Sequence, residues 1–306
     1  MTEVAEKVDP VEALRGLIAA GEITQSQAAR EMGVSATSLS QVLGGKYAAD
    51  PTAIVEKIEA WLASREQRAR AGLPPLPSFV ETPTAKRVLA ALSYAQLAGD
   101  IAVIYGAAGV GKSMAISEYQ RRSPSVWVAV MTPGHAGVTA ALEEVAFAVG
   151  LRDVAQSPAR IHREVVARCR GTGGLIVVDE AQHSSTAALD ALRSIHDAAG
   201  VGLALVGNDQ VYGRMVGNRA AYLDRLFSRI GKRVRVAGAS VADVEAVARA
   251  AGGEPWAAVK DIGRQAGGLR AVVKVLRLAQ MMAQAEGCAL ADRHVAAARR
   301  DLEGAC

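Results

Sequence analysis

The chain has 306 residues, of which 50% are hydrophobic and 22% charged, and its net charge is only +4. This length accommodates two or three domains, one of them with a sizeable core. No uninterrupted apolar run is long enough to span a membrane and the polar N-terminus lacks a signal-peptide pattern, so we expect neither a membrane protein nor a secreted one. Three cysteines without paired or metal-binding spacing fit a reducing compartment, and we expect a cytoplasmic protein.

The positive charge is concentrated in one short segment. Residues 1–70 carry 8 Lys and Arg against 10 Asp and Glu, whereas residues 214–235 carry 7 against 1. The modest total argues against a protein that binds nucleic acid over its whole surface. The dense segment is either a solvated helix face or a local binding surface, and Lys232 and Arg233 within it are candidate DNA contacts.

The first 70 residues predict a small all-α domain with a helix-turn-helix. Thr24 is expected to cap a helix over Gln25–Met32, which ends at a left-handed turn at Gly33. Ser35 is expected to cap the second helix, whose outward side chains are short or carry amides and can reach base edges. The candidate DNA contacts here are Thr37, Ser38, Gln41 and Lys46. A structural or protein-docking bundle is the alternative, because the net negative charge weakens DNA affinity.

A proline-rich linker over residues 71–77 separates this domain from a predicted α/β nucleotide-binding domain over residues 78–237. Apolar runs that alternate with amphipathic stretches are typical of buried parallel strands with helices between them. Five strands are predicted, over residues 101–105, 126–130, 175–178, 201–206 and 234–236. Residues 238–306 show no strand pattern and predict a helical lid. Its four helices are predicted over residues 241–250, 255–265, 269–285 and 292–302.

Residues 106–113, with the sequence GAAGVGKS, match the spacing of a phosphate-binding loop. A predicted strand precedes them and a predicted helix follows, as the GxxxxGK(S/T) pattern requires. The glycines let successive backbone N–H groups face phosphate oxygens at the helix N-terminus. Lys112 is expected to reach the β- and γ-phosphates of ATP, and Ser113 to ligate Mg²⁺. The predicted nucleotide contacts are Gly106, Ala107, Ala108, Gly109, Val110, Gly111, Lys112, Ser113 and Met114.

Two adjacent carboxylates, Asp179 and Glu180, follow the third predicted strand. Ligands of α/β domains bind at the carboxyl ends of the strands, so both carboxylates are expected beside the phosphate loop. Asp179 is predicted to help hold Mg²⁺, which prefers oxygen ligands, and Glu180 to polarise the water that attacks the γ-phosphorus. His183 follows one position too late for a DEAH-box helicase motif, which argues against that class.

Further polar side chains are candidates for contacts with the γ-phosphate. Asn208 ends the fourth predicted strand, where an amide can orient the attacking water. In a ring or filament, Arg229 or Arg225 can reach the nucleotide of a neighbouring copy, and the sequence leaves open which of them does. Arg270 opens a lid helix and is a candidate sensor of the triphosphate.

Taken together, these residues resemble the AAA+ ATPases over residues 78–306. The phosphate loop, the Asp-Glu strand, a sensor-1 amide, a finger arginine and a sensor-2 arginine on a lid are similar to that family's, with Asn208 and Arg270 in the sensor positions. The resemblance implies a P-loop parallel sheet with a helical lid. It also implies Mg²⁺-dependent hydrolysis of ATP to ADP and phosphate.

A narrower resemblance, over nearly the whole chain, is to the Mu B family of phage target-selection ATPases. The order of helix-turn-helix, proline-rich link and ATPase is similar. So are the stretches FVET at residues 79–82, GVGK at 109–112, VVDEA at 177–181, RLFSRI at 225–230 and LR at 269–270. The resemblance implies ATP-dependent filaments on double-stranded DNA with little sequence preference, delivery of that DNA to a transposase, and stimulated strand transfer. Hydrolysis prompted by the transposase would dissolve the filament.

Two other functions stay open at this point. A helicase-loader or replication-initiation ATPase would use the same nucleotide site with a helicase as its partner. A nucleotide switch that closes its lid over a signalling partner would dock protein on the N-terminal helices and show no ATP-dependent, salt-sensitive affinity for DNA.

Overall fold

The computed structural model describes residues 9–70, 79–152, 157–211, 213, 229–254, 256–265 and 267–304, with the backbone alone described at 67–70. These residues form two compact units, one before and one after residue 73. None of the described helices is long and apolar enough to cross a membrane.

Four helices make up the described part of the first unit. They are α1 (Pro10–Ala19), α2 (Gln25–Met32), α3 (Ala36–Leu43) and α4 (Thr52–Arg70). Leu14, Leu39 and Ile58 are fully buried where these helices meet. The unit therefore has an apolar core of its own.

The predicted helix-turn-helix is confirmed over α2 and α3. Thr24 Oγ1 accepts a hydrogen bond from the Gln27 N–H at 3.2 Å, and Ser35 Oγ accepts one from the Ser38 N–H at 2.9 Å. Gly33 ends α2 with φ +64°, in the left-handed region that glycine adopts without steric cost. Each predicted cap thus satisfies a backbone donor that the helix leaves unpaired.

A five-stranded parallel sheet forms the centre of the second unit. The strands are β1 (Ile101–Gly106), β2 (Val126–Val130), β3 (Leu175–Asp179), β4 (Gly202–Gly207) and β5 (Ile230–Val236), in the spatial order β2-β3-β4-β1-β5. All five predicted strands are confirmed. β3 and β4 are buried along their whole length, which explains their continuous apolar runs.

β5 is longer than the sequence predicts, because it begins at Ile230 rather than at residue 234. As an edge strand it exposes Arg233 and Arg235, so the apolar pattern marks only its C-terminal end. Charged side chains on an edge strand also disfavour unwanted pairing with another sheet.

Helices cover both faces of the sheet. One face carries α5 (Pro83–Ala98) and α6 (Lys112–Arg122), and the other carries α7 (Val138–Ala148), α8 (Pro158–Cys169) and α9 (Thr186–Ala199). The register aligns the carboxyl ends of the strands, since Gly106 pairs with Val236. Asp179 likewise pairs with Val130. Residues that follow β1, β3 and β4 therefore meet at one edge of the sheet.

A helical subdomain with its own core follows β5. Its helices are α10 (Val241–Ala250), α11 (Ala257–Arg264), α12 (Gly268–Ala285) and α13 (Asp292–Glu303), all within two residues of the predicted bounds. Leu276 and Val295 are fully buried between them. We refer to residues 238–304 as the lid.

Candidate nucleotide-binding site

The predicted phosphate loop lies between β1 and α6, at the carboxyl edge of the sheet. Gly106, Gly109 and Gly111 have φ angles of +133°, +74° and +95°. Gly106 also has no space for a side chain, since a Cβ would lie 1.9 Å from the carbonyl oxygen of Val236. Among the described residues no side chain caps the first turn of α6, which begins at Lys112. The first N–H groups of this helix are therefore available to an anion.

The Lys112 side chain curls back over this loop. Its Nζ donates hydrogen bonds to the carbonyl oxygens of Gly106 and Ala107, at 3.0 and 2.7 Å. Burial lowers the pKa of the ammonium, and the nearby carboxylates of Asp179 and Glu180 oppose that shift. The structure thus places the lysine between the loop and the two predicted carboxylates.

Ser113 and Asp179 bring two oxygen ligands together beside the loop. Ser113 Oγ donates to Asp179 Oδ2 at 2.7 Å, and the Glu180 N–H donates to Asp179 Oδ1 at 2.9 Å. Asp179 is 5% exposed, and this burial raises the pKa of its carboxyl group. A hydroxyl and a carboxylate at one point are a donor set that suits a hard cation such as Mg²⁺, so these residues fit the predicted metal.

Glu180 is linked to the end of β4 through a glutamine. Among the described non-glycine residues Glu180 alone has a positive φ, of +54°, and such backbone strain concentrates at functional sites. Its carboxylate accepts a hydrogen bond from Gln182 Nε2. Gln182 Oε1 accepts one from the Asn208 N–H at 3.3 Å, and Asn208 Oδ1 accepts one from the Gln210 N–H at 2.9 Å. The structure therefore brings Glu180 and Asn208 to the same edge.

The start of α12 lies directly against the phosphate loop. The Arg270 N–H donates to the Gly109 carbonyl oxygen at 3.2 Å. A Cβ on Gly109 would lie 2.0 Å from the carbonyl oxygen of Gly267. The Arg270 charge is also close enough to Lys112 to lower the pKa of the lysine further. Arg270 thus lies beside the loop, and its role as a sensor of the triphosphate stays a prediction.

Replacing Gly109 with alanine is expected to separate the lid from the phosphate loop, because the new Cβ overlaps the Gly267 carbonyl. We expect the free energy of unfolding, measured by urea denaturation without nucleotide, to fall by about 1–3 kcal/mol more than in the control Gly111→Ala. Gly111 also has a positive φ, but nothing lies within 4 Å of its Cβ position. Equal losses in the two variants would show that backbone strain sets the effect and that the lid contact contributes nothing.

Arg229 lies at the opposite, amino edge of the sheet. It precedes Ile230, which pairs with Ile101 at the start of β1. Its Nη1 lies 3.3 Å from Asp197 Oδ1 at the end of α9. This position is far from the phosphate loop of the same protomer, as a role toward a neighbouring copy requires. Arg225, the other candidate finger, lies outside the described residues.

The candidate DNA contacts of the first unit lie on and just after α3. Thr37, Gln41 and Lys46 are exposed. Ser38 is half-buried, and its Oγ accepts a hydrogen bond from Ser35 Oγ at 2.7 Å. Ser38 is therefore engaged in the N-terminal cap of its own helix. DNA contact by these four residues stays a prediction.

The candidate DNA contacts of the second unit lie on the edge strand. Lys232 Nζ donates to the Ala90 carbonyl oxygen at 3.4 Å and lies 5.5 Å from the centre of the Tyr94 ring. Lys232 is thus held against α5 of its own protomer, whereas Arg233 is exposed. Their contact with DNA also stays a prediction.

Three potential metal ligands, Glu286, Cys288 and His294, have ligand atoms within 4.8 Å of one another in the lid. His294 Nδ1 accepts a hydrogen bond from the Ala291 N–H at 2.9 Å, so the ring proton is assigned to Nε2, 3.1 Å from Glu286 Oε2. A metal on Nε2 would move that proton to Nδ1 and set it against the Ala291 N–H. The His294 side chain therefore caps the first turn of α13 through Nδ1.

Sequence reasoning missed two parts of this site, Gln182 and the contact of Gly109 with Gly267. A local signal for Gln182 exists, since an amide two residues after a strand-end carboxylate can bond back to it. The glycine contact joins segments far apart in the chain, and no local pattern in the sequence predicts it.

Comparison with known proteins identifies the family. A family model described as an AAA domain matches residues 97–215, and one described as the C-terminal part of the Mu B transposition protein matches residues 228–302. The chain is 36% identical over 294 residues to the "ATP-dependent target DNA activator B" of Escherichia phage Mu, covering 95% of this chain and 94% of the relative. The chain belongs to the Mu B family of transposition proteins. The resemblance seen in the sequence is confirmed.

A second relative of this Mu B family member comes from a prophage. The "Mu-like prophage FluMu DNA transposition protein B" of Haemophilus influenzae is 36% identical over 255 residues, which cover 81% of this chain and 88% of the relative. The matched relatives are thus encoded by phages or phage-derived elements.

Solved structures confirm the fold of this Mu B family member. The ORC2 protein of Aeropyrum pernix, solved with ADPNP and ADP, matches with a TM-score of 0.56 at 18% identity, covering 73% of this chain and 68% of that one. Cdc6p of Pyrobaculum aerophilum matches with a TM-score of 0.54 at 16% identity, covering 74% and 69%. With the AAA family match and the helical first unit, the predicted AAA+ class is confirmed.

Proposed function

We propose that this chain is an ATPase that assembles as filaments on target DNA, delivers that DNA to a transposase and stimulates strand transfer. The observation that carries the proposal is the convergence of Lys112, Ser113 and Asp179 at one edge of the sheet in a member of the Mu B family. The names of the relatives, which describe an ATP-dependent activator of target DNA, support it.

Each residue of the edge has a defined task in this proposal. Lys112 and the N–H groups of the loop bind the β- and γ-phosphates of ATP. Ser113 and Asp179 would hold Mg²⁺, which neutralises phosphate charge when bound. Glu180 polarises the attacking water and accepts its proton, while Asn208 orients that water.

Two arginines supply the remaining positive charge at the triphosphate, one from the same protomer and one from its neighbour. Arg270 contacts the triphosphate from the lid of the same protomer, and Arg229 or Arg225 contacts it from the neighbouring one. Because the γ-phosphate is then bound by two copies, its hydrolysis weakens the interface between them. This coupling makes assembly dependent on the nucleotide.

The partners of the assembly are double-stranded DNA and a transposase, in the cytoplasm of a bacterial cell. A protein that binds DNA without sequence preference contacts mainly the phosphates, and basic side chains make these contacts. The match to the Mu B C-terminal family model favours this role over that of a helicase loader.

Electron microscopy of the protein with duplex DNA and a slowly hydrolysed ATP analogue tests the proposal. We expect filaments with the analogue and short or no assemblies with ADP. A reconstruction would also identify which arginine reaches the neighbouring nucleotide. Assembly that is the same with either nucleotide would contradict the proposal.

A salt titration of DNA binding separates this function from a switch that binds no DNA. We expect an ATP-dependent affinity that falls steeply with salt and differs little between unrelated duplexes. The absence of such an affinity would favour the switch. Stimulation of hydrolysis by a helicase and not by a transposase would favour the helicase-loader alternative.

A further inference from the structure

Gln182 connects the ends of two strands at the nucleotide edge. It lies in a short 3-10 turn (Ala181–His183) after β3, and its side chain is 8% exposed. Nε2 donates to the Glu180 carboxylate, and Oε1 accepts from the Asn208 N–H at 3.3 Å. The buried amide of Gln182 therefore forms a hydrogen bond through each of its two polar atoms, one to the end of β3 and one to the end of β4.

The surroundings hold this amide in place. A Cβ on Gly207, the last residue of β4, would lie 2.3 Å from Gln182 Oε1 and 2.4 Å from Val211 Cγ2. The glycine thus leaves the space that the amide occupies. A buried amide that loses a partner loses about 1–3 kcal/mol, so this side chain strongly prefers the observed orientation.

The two contacts require the chemistry of an amide. Only a side chain with a donor at one atom and an acceptor at the other can bond a carboxylate and a backbone N–H at once. A glutamate would still accept from Asn208 but would repel Glu180. A methionine would fill the same volume without either hydrogen bond.

We propose that Gln182 is a positioning residue for ATP hydrolysis, which fixes the Glu180 carboxylate relative to Asn208 at the end of β4. This inference rests on the proposed function. Glu180 must face the water in line with the γ-phosphorus, and an error of about 1 Å in such a geometry costs up to about 100-fold in rate. Gln182 itself contacts neither nucleotide nor water in this assignment.

Steady-state ATP hydrolysis by the full chain on duplex DNA tests the assignment, with Gln182→Met and Gln182→Glu as variants. Both are expected to lower kcat by about 10- to 100-fold, with KM and the affinity for a slowly hydrolysed analogue changed by less than about threefold. Filaments formed with ATP should persist longer in both variants. Gln210→Met is the matched control, because Gln210 bonds Asn208 through its backbone N–H, which the substitution keeps.

A double variant separates positioning from a merely structural role. If Gln182 acts through Glu180, adding Gln182→Met to Glu180→Gln should lower kcat by less than about twofold further. Unchanged kcat in both single variants, or a full additional loss in the double variant, would overturn the inference. A different result would contradict the proposed function: the wild-type protein itself would hydrolyse no ATP. Circular dichroism identifies a variant that does not fold, in which case the other variant decides.

Discussion

Replacing Lys112 with alanine is expected to weaken ATP binding by about 100-fold or more and to abolish ATP-dependent filaments on DNA. The lysine carries the positive charge at the centre of the loop, where its Nζ lies within hydrogen-bonding distance of Gly106 and Ala107. Arg270 is bound to the loop through its backbone N–H, which donates to the carbonyl oxygen of Gly109. In the proposed assembly, the interface between protomers would then lose the γ-phosphate that joins them.

Thermal or urea denaturation with and without ATP measures this loss. At an ATP concentration 100 times Kd, the wild-type protein gains about 2.7 kcal/mol, whereas a variant that binds 100-fold more weakly gains about 0.4 kcal/mol. Lys86→Ala is the control, because Lys86 is 64% exposed on α5 and its side chain forms a surface ion pair with Glu81, at 3.7 Å. Persistent filaments of normal length formed by Lys112→Ala without nucleotide would contradict the coupling.

Local signals in the sequence predict most of the fold and the centre of the site. The side chains of Thr24 and Ser35 each accept a hydrogen bond from the backbone N–H three residues later, so the sequence around them determines the helix ends. The phosphate loop and the Asp-Glu pair are likewise contiguous, and the parallel sheet brings Ser113 next to Asp179. For these features the signal and the structure lie in one short segment, and prediction and structure agree.

Most of what the sequence does not predict depends on the tertiary arrangement. The start of β5 has no recognisable pattern in the sequence, because this edge strand mixes apolar and charged residues. The close approach of Gly109 to Gly267 joins the phosphate loop to the lid. The ion pair of Arg229, just before β5, with Asp197 on α9 also joins segments that are apart in the chain. Each of these features requires the tertiary arrangement and has no periodic or motif signal.

A buried aspartate joins the lid to the α/β layer, and it also forms a capping box with Ser240 at the start of α10. Asp243, on α10, is fully buried and accepts hydrogen bonds from the N–H and Oγ1 of Thr84 at the start of α5, both at 2.8 Å. It also accepts bonds from the N–H and Oγ of Ser240, at 2.8 and 2.7 Å. Asp243→Ala leaves buried donors without a partner, and we expect urea denaturation to show a loss of about 3 kcal/mol or more.

The charge of Asp243 makes part of this stability depend on pH. Burial raises the pKa of its carboxyl group, but the four hydrogen bonds outweigh burial and hold the pKa below the usual value. A carboxyl group whose pKa is lowered by folding contributes stability that is fully present above its unfolded pKa, about 3.9, and is lost as the pH falls through the folded pKa. Asp243→Asn keeps the shape, removes the charge and replaces one accepting oxygen with an NH2 group. The difference in the free energy of unfolding between wild type and Asp243→Asn should therefore be constant above about pH 5 and shrink below about pH 4. A difference that stays constant down to pH 3 would mean that the hydrogen bonds of Asp243 stabilise the lid without any contribution from its charge.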